Sequence, residues 1–319
     1  MPPPGVSVII VNWNTRELVL RLLASLSSPS APSEHELELI VVDNNSSDGI
    51  VEAIRREFPE VKLLAETKNH GFAGGVNRGV KAATQPLVLL LNSDAQTSRA
   101  SIEEAAQYMS RVPEAGVLGP QILSTEQGLQ SSAWRDPSLA WMGLNALGLS
   151  KLKPFNFERY HEKRFEEATV VHCVCGAAMM IRRELLGALG GFDEDFFMYF
   201  EETDFCVRAR QRGQQVHYAP VGQFLHEEGG TSKTVRLRTF LDYKRSEILF
   251  HRKHAGMLAA IAARALLVFG CAVRVPVWAV LSLAPGSAHA RAQLRLHWSG
   301  LTWLINPFSR LVPDVDRSE

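Results

Sequence analysis

Four short apolar runs recur through residues 6–91, each long enough for one strand and each separated from the next by a helix-length segment. Residues 6–11 (Val-Ser-Val-Ile-Ile-Val) form a short continuous β-branched run, the pattern of a strand buried on both faces, and 37–42, 61–64 and 87–91 read as three further strands, the last the strongest. Helical periodicity over 16–26, and in segments ending near Phe58 and Ala83, fills the gaps. The order β-α-β-α-β-α-β predicts a doubly wound α/β sheet. Such sheets bind ligands beyond the carboxyl ends of their strands, where the polar clusters Asn12-Trp13-Asn14, Asp43-Asn44-Asn45 and Asn92-Ser93-Asp94 fall. The glycine-rich piece Gly71-Phe72-Ala73-Gly74-Gly75 lacks the spacing of a dinucleotide fingerprint, and the first strand has no glycine turn, which argues against a dehydrogenase. For Asp43 or Asp94 alone, turn chemistry is the simpler reading, since Asp and Asn bond their own backbone. Two such acids at strand ends of one sheet are less easily assigned to turns.

Residues 196–204, Phe-Phe-Met-Tyr-Phe-Glu-Glu-Thr-Asp, pass from bulky apolar side chains straight into three carboxylates. Apolar residues of this bulk are normally buried, and carboxylates rarely are unless paired, so the run is expected to lead from a core to the floor of a cleft. A helix over 205–212 that stops at Gly213 puts Glu202 and Asp204 at or near its N-terminus. Taken alone, these acids divide evenly between catalysis and capping, because carboxylates in a first turn satisfy orphan N–H groups. Cys173, Cys175, Cys206 and Cys271 form no C-x-x-C pair and are expected to be free thiols in a reducing compartment. Cys173-Val174-Cys175 reads as buried strand in preference to metal ligand. The first residues carry no basic n-region, so no export signal is expected. The polar stretch 124–167, which holds Phe155, Phe157, Arg159 and Tyr160, is expected to be an accessory loop.

Six segments in order then resemble one family: Val8-Ile9-Ile10-Val11-Asn12-Trp13-Asn14, Val41-Val42-Asp43-Asn44-Asn45-Ser46-Ser47-Asp48-Gly49, Asn69-His70-Gly71-Phe72-Ala73-Gly74-Gly75-Val76-Asn77, Leu91-Asn92-Ser93-Asp94, Gly190-Gly191-Phe192-Asp193-Glu194 and the run 196–204. They resemble the inverting, metal-dependent nucleotide-sugar glycosyltransferases of the GT-A fold, the large family that includes bacterial rhamnosyltransferases. The resemblance covers most of residues 6–230 and implies an α/β fold with a Rossmann-like, doubly wound mixed sheet. It implies that Asp43 contacts the nucleotide base, with Asn12, Asn14, Asn69 and Asn77 also in the donor site. Asn92-Ser93-Asp94 matches the D-x-D element, with Asp94 holding a divalent metal, Mg or Mn, on the donor diphosphate and His226 completing the metal site. Asn92 stands where the family has an acid. Magnesium commonly takes one or two carboxylates plus phosphate oxygens and water, so Asp94 suffices. A lone histidine at a strand end is, on its own chemistry, an ordinary surface residue.

Glu201-Glu202 matches a Glu-Asp pair whose second member is the general base, so the resemblance implies that Glu202 is the base, with Glu201 and Asp204 beside it. Glu202 is one methylene longer than the usual Asp. A carboxylate would take the proton of an acceptor hydroxyl as it attacks the anomeric carbon in line, and the metal would offset charge on the leaving diphosphate. The implied donor is a nucleoside diphosphate sugar, with dTDP-rhamnose the expected case. The implied acceptor is a glycan or lipid-linked oligosaccharide of cell-surface polysaccharide synthesis. Two other readings are a non-catalytic sugar-nucleotide-binding membrane scaffold and a nucleotidyltransferase on a related sheet, which would release pyrophosphate.

Lys plus Arg and Asp plus Glu balance at 34 each, which argues against a nucleic-acid partner. Residues 231–310 nevertheless hold 12 Lys/Arg against only Asp242 and Glu247, a net +10, while residues 1–230 carry −8. A boundary near residue 230 is therefore expected between a catalytic domain, 1–230, and a basic, apolar helical region, 231–319. Residues 265–273 and 277–281 are apolar, but Arg264, Arg274 and Pro276 interrupt the roughly twenty apolar residues that a spanning helix needs. Three readings stand: helices lying on an anionic cytoplasmic leaflet, a spanning or re-entrant helix, and a buried core or oligomer contact. The first is favoured and places the protein in the cytoplasm at the inner face of the cell membrane.

Overall fold

The computed structural model describes residues 4–27, 36–124, 128–152, 160, 166–226 and 236–306. The four apolar runs are strands separated by helices: β1 (Val6–Asn12), α1 (Arg16–Ser27), β2 (Leu37–Asp43), α2 (Ile50–Glu57), β3 (Lys62–Ala65), α3 (Gly71–Ala82) and β4 (Leu87–Leu91). β5 (Ala95–Thr97), α4 (Arg99–Arg111), β6 (Ala115–Gly119) and β7 (Ile122–Ser124) follow. Next come β8 (Gly128–Leu129), β9 (Ala133–Trp134), α5 (Leu139–Ala146), β10 (Thr169–Val171), β11 (Cys173–Val174), β12 (Ala178–Arg182), α6 (Arg183–Leu189), α7 (Glu201–Gln211), β13 (Gln215–Tyr218) and β14 (Phe224–His226). Two long helices, α8 (Arg236–Leu281) and α9 (Ala288–Ile305), complete the described chain.

An eight-stranded mixed sheet runs β10-β13-β6-β12-β4-β1-β2-β3, with β12 antiparallel to both β4 and β6. β1 lies parallel to β2 in a register that sets Val6 beside Leu37 and Asn12 beside Asp43, so both polar groups emerge at one carboxyl edge. Alternate side chains of β1 feed different cores: Val8 and Ile10 pack with Leu22 and Leu23 of α1, whereas Ile9 packs with Val76 of α3. This two-sided burial explains why the runs are continuous and not alternating. Gly75 and Gly79 let α3 approach that face, since a Cβ at either would stand 2.6 Å or 2.4 Å from the side chains of Val11 and Ile9.

A second sheet of four short strands, β5-β14-β7-β8, is decisive for the site. β14 runs antiparallel to β5 and sets His226 opposite Ala95, which brings a histidine far along the chain next to Asp94. The expected accessory loop is corrected in part: it contains β8, β9 and α5, and α5 packs against α8. Ser138 caps α5, accepting from Trp141 N at 3.2 Å. Tyr160 is buried, and its hydroxyl accepts from His172 N, while Phe155, Phe157 and Arg159 lie outside the described residues. Cys173 lies in β11 as expected, and none of the four cysteines is in a disulfide.

The charge step near residue 230 is not a step in packing. Phe250 of α8 shares a core with Phe196, Phe200 and Val207, and Ser246 Oγ donates to Met198 O at 2.8 Å. α8 bends at Gly256, whose φ of 86° lies in the left-handed region, and its following half packs with α9 and α5. By length and composition, α8 holds a stretch of membrane-span type, Leu237–Leu281.

Candidate active site

The site is a cleft of about 420 Å3 at the carboxyl edge of β1 and β4, closed below by the 196–204 run and on one side by the start of α8. Asn12 is buried, and its Nδ2 donates to Asp43 Oδ1 at 2.7 Å while its Oδ1 accepts from Thr15 Oγ1. Asp43 also accepts from the backbone N and the hydroxyl of Ser46, so both its oxygens are engaged within the protein. Asn12, Asn69, Asn92, Ser93 and Asp94 line the cleft; Asp43 does not. Asn69 Oδ1 accepts from Gly71 N at 2.9 Å, and position 71 requires glycine twice over, for its φ of 74° and because Phe197 O occupies the space of a Cβ.

Two expected donor residues lie elsewhere. Asn77 is taken up by the chain opposite: its Nδ2 donates to Phe192 O and Glu194, and its Oδ1 accepts from Phe192 N. Asn14 is exposed, has a φ of 55°, and braces the next loop by accepting from Ser47 N. Neither lines the cleft. The sequence reading passed over Gln130, Arg238, Thr239 and Asp242, all of which do. The guanidinium of Arg238 stands 5.9 Å from the Trp13 ring centre and 5.3 Å from that of Phe197, a pair of cation–π contacts that fixes a positive charge at the rim. No local motif announces these residues, because they come from the insertion and from the basic C-terminal helix.

The 196–204 run does pass from core to cleft. Phe196 and Phe200 are buried, while Phe197, Met198 and Tyr199 line the cleft. Tyr199 and Phe200 both adopt left-handed backbone conformations, φ 68° and 67°, which cost bulky residues about 1–3 kcal/mol each. That double turn aims the first turn of α7, and with it Glu201 and Glu202, into the cleft. Glu201 Oε2 and Glu202 Oε2 are buried with no hydrogen-bond partner. Burial pushes the Glu202 carboxyl up to about 7. Burial, and then the neighbouring charge of Glu202, pushes Glu201 well above the ordinary carboxylate value. Backbone N–H groups of the first turn engage both carboxylates, as capping would, but one buried oxygen of each is left over in a group that lines the cleft, which argues for a ligand there.

Asp204 is the correction within this trio. It is fully buried, does not line the cleft, and is held by Arg208 Nε at 2.7 Å, Lys253 Nζ at 2.7 Å and His254 Nε2 at 2.8 Å. Burial alone would raise its pKa, but the hydrogen bonds from His254 and Lys253 and the charge of Arg208 outweigh that and hold it below the usual carboxylate range. Asp204 fastens α7 to α8 and is not placed for chemistry.

Opposite the two glutamates, His226 Nε2 lies 3.2 Å from Asp94 Oδ1, and its Nδ1 lies 3.2 Å from Gln130 Oε1. Gln130 Oε1 can only accept, so His226 Nδ1 donates to it, and a neutral imidazole held in this way would present its Nε2 lone pair beside the Asp94 carboxylate. That donor set would fit a cation, with Gln130 as the outer contact that orients the ring. Among the described residues no third His, Cys, Asp or Glu joins them, so the remaining ligands of such an ion would come from a substrate and water.

A polar edge at the carboxyl ends of β1 and β4, an Asp–His pair and two glutamates in one cleft, on a large mixed α/β sheet, are the site of a glycosyltransferase. The chain matches Glycosyl transferase family 2 over residues 7–190 and belongs to that family. It is 30% identical over 264 residues to the N-acetylglucosaminyl-diphospho-decaprenol L-rhamnosyltransferase of Mycobacterium tuberculosis, covering 78% of this chain and 85% of that one. Its fold is similar to that of a mannosyltransferase from Pyrobaculum calidifontis solved with GDP-Man and Mn2+, with a TM-score of 0.55, 19% identity, and coverage of 94% of this chain and 88% of that one. It is also similar to GalNAc-T7 solved with UDP, GalNAc and Mn2+, with a TM-score of 0.60, 15% identity, and coverage of 96% and 57%.

Proposed function

We propose that this glycosyltransferase moves rhamnose from dTDP-rhamnose, with inversion, to N-acetylglucosamine carried on a prenyl diphosphate at the inner face of the cell membrane. Glu202 acts as general base, and a divalent metal is held by Asp94 and His226. The observation that carries the reading is the pair of buried carboxylate oxygens left without a partner, Glu201 Oε2 and Glu202 Oε2, in the cleft that the Asp94–His226 pair also lines. The choice of sugar and acceptor rests on the mycobacterial relative, and the metal rests on the donor set together with the manganese-bound structural neighbours.

Asn12, Asn69, Asn92 and Ser93 offer amide and hydroxyl contacts to the donor, and Arg238 offers its diphosphate a fixed positive charge. When bound, the metal supplies Lewis-acid stabilisation of the charge gathering on the leaving diphosphate. Glu202, raised to about 7, is strong enough a base near neutrality to take the acceptor hydroxyl proton as the new C–O bond forms. The bond from the anomeric carbon to the diphosphate breaks with its electron pair leaving on the diphosphate. Glu201, pushed up by burial and by the charge of Glu202, stands beside the base.

The membrane assignment, and with it the division into a catalytic part and a membrane-associating C-terminal part, rests on α8. Leu258, Ile261, Phe269, Val273, Val277 and Val280 are exposed along one stripe at roughly helical spacing. Arg264 donates to Leu304 O and Asn306 O, and Arg274 to Asn145 O, so both arginines are occupied on the protein side and the stripe stays uncharged. An apolar face of this kind suits a helix lying in the headgroup region.

The test is a transfer assay with dTDP-rhamnose and N-acetylglucosaminyl-diphospho-prenol. The expected outcome is an anomerically inverted rhamnosyl lipid with release of dTDP, stopped by a chelator and restored by manganese or magnesium. Release of pyrophosphate, or donor binding without turnover, would overturn the reading.

A further inference from the structure

A second cavity, of about 600 Å3, lies between α5, α8 and α9, within the size range of small-molecule sites. Tyr199 and Thr239 line both this cavity and the catalytic cleft, so the two spaces share a wall. The other walls are largely apolar, interrupted by Lys244, Glu247, Arg274 and His297. Arg274 donates to the carbonyls of Asn145, Ala146 and Gly270, and Lys244 lies over the Phe240 ring at 4.5 Å. Neither cation forms an ion pair among the described residues. Burial, and then the charges of Lys244 and Arg274, push His297 down to about 4, which places all three groups in one electrostatic neighbourhood. His297 Nδ1 is buried with no hydrogen-bond partner. Burial pushes the one acid, Glu247, up to about 7, so an arriving anion meets it partly protonated. The cavity therefore combines excess positive charge, an unused imidazole nitrogen and apolar walls on the helix that also carries the exposed stripe.

We propose that this cavity binds the diphosphate of the lipid-linked acceptor through Lys244, Arg274 and His297, with the prenyl chain running along α8 and the acceptor sugar crossing Tyr199 and Thr239 to reach Glu202. This rests on the acceptor class proposed above. A lone inorganic diphosphate would satisfy the cations without using the apolar walls, and a bilayer headgroup would use the walls without placing a hydroxyl at Glu202.

The experiment titrates full-length protein in neutral detergent with farnesyl diphosphate, inorganic pyrophosphate and phosphatidylglycerol, alongside acceptor and donor KM in the transfer assay. Lys244→Gln and Arg274→Gln are expected to weaken farnesyl diphosphate binding and raise acceptor KM roughly ten- to a hundredfold, the loss typical of a charge-assisted contact, with donor KM held. Lys244→Arg and Arg274→Lys should each retain most of the affinity, which separates lost charge from lost packing at the two positions. Pyrophosphate binding as tight as that of farnesyl diphosphate, or equal competition by phosphatidylglycerol, would overturn the proposal. Active wild type with an acceptor KM unmoved in both glutamine variants would overturn the cavity and leave the rhamnosyl reaction standing. Wild type that binds farnesyl diphosphate through Lys244 but transfers no sugar would do the reverse.

Discussion

Glu202 is the proposed base at the residue scale, because its place in the cleft, its raised pKa and its unpartnered, buried Oε2 coincide. Glu202→Gln keeps the volume but cannot accept the hydroxyl proton, so kcat should fall by roughly two to four orders of magnitude while donor Kd barely changes. A larger loss in Glu201→Gln would move the base one residue earlier. A base that titrates near 7 must be ionised to work, so kcat/KM of the wild type should rise with pH and level off above about 7. The same shift acts on stability with a fixed sign. The folded state holds the Glu202 proton more tightly than the unfolded chain does, so wild type loses stability as pH rises from about 4.5 through 7. The melting temperature of Glu202→Gln should therefore gain on wild type between pH 5 and pH 8; no gain would mean that the carboxyl titrates normally. For the cation pair, Asp94→Asn should abolish metal-dependent donor binding, and His226→Ala should weaken it less, since a neutral ligand carries no net charge. Calorimetry with manganese and a nucleoside diphosphate sugar separates the two, and unchanged metal dependence in Asp94→Asn would remove the assignment.

At the scale of elements, the site depends on how α7 is clamped. Its N-terminal turn is aimed by the left-handed pair Tyr199–Phe200, and its flank is fastened to α8 by Asp204 with Arg208, Lys253 and His254. Removing the charge of Asp204 leaves two cations and an imidazole facing a neutral amide in a buried setting, so Asp204→Asn should cost about 3–5 kcal/mol. A carboxylate depressed in the fold contributes in full above its ordinary value of 3.8 and loses that contribution only as pH falls through the lower folded value. The gap in melting temperature between Asp204→Asn and wild type should thus persist at pH 7 and 5 and narrow below about 3.8. A gap that is constant with pH would point to lost packing in place of lost charge.

For the whole molecule, α8 walls the cleft at its start and carries the proposed membrane-facing stripe farther along. Arg238, Thr239 and Asp242 line the cleft from the start of α8, while the exposed stripe begins only beyond the bend at Gly256. Ile261→Glu with Phe269→Glu should therefore leave the melting temperature in place and reduce binding to phosphatidylglycerol vesicles by at least tenfold, since each side chain contributes about 1.5–3 kcal/mol on burial. Raising salt should weaken the remainder. Vesicle binding that survives the double substitution would place the membrane contact elsewhere. Cutting the chain near residue 230 is expected to damage donor binding as well, because it removes one wall of the cleft.

The amino-acid sequence by itself determined the four β-α-repeated strands of the sheet and the carboxyl edge at which the cleft lies. Those follow from periodicity within single strands and helices and from the order in which they come. It also marked Asn12, Asn69, Asn92, Ser93, Asp94, Glu201, Glu202 and His226, all of which line one cleft. It did not separate Asp204 from its neighbours. Successive helical residues turn by about 100°, so two residues on from Glu202 a side chain faces nearly the opposite way, and the direction that meets the cleft is set by how α7 packs. The same holds for Asp43 and Asn77, whose polar groups are satisfied inside the protein, and for Gln130, Lys244, Arg238 and α5. Their partners lie far away in the sequence, so only the packing of the insertion and of α8 against the sheet decides which surfaces they share.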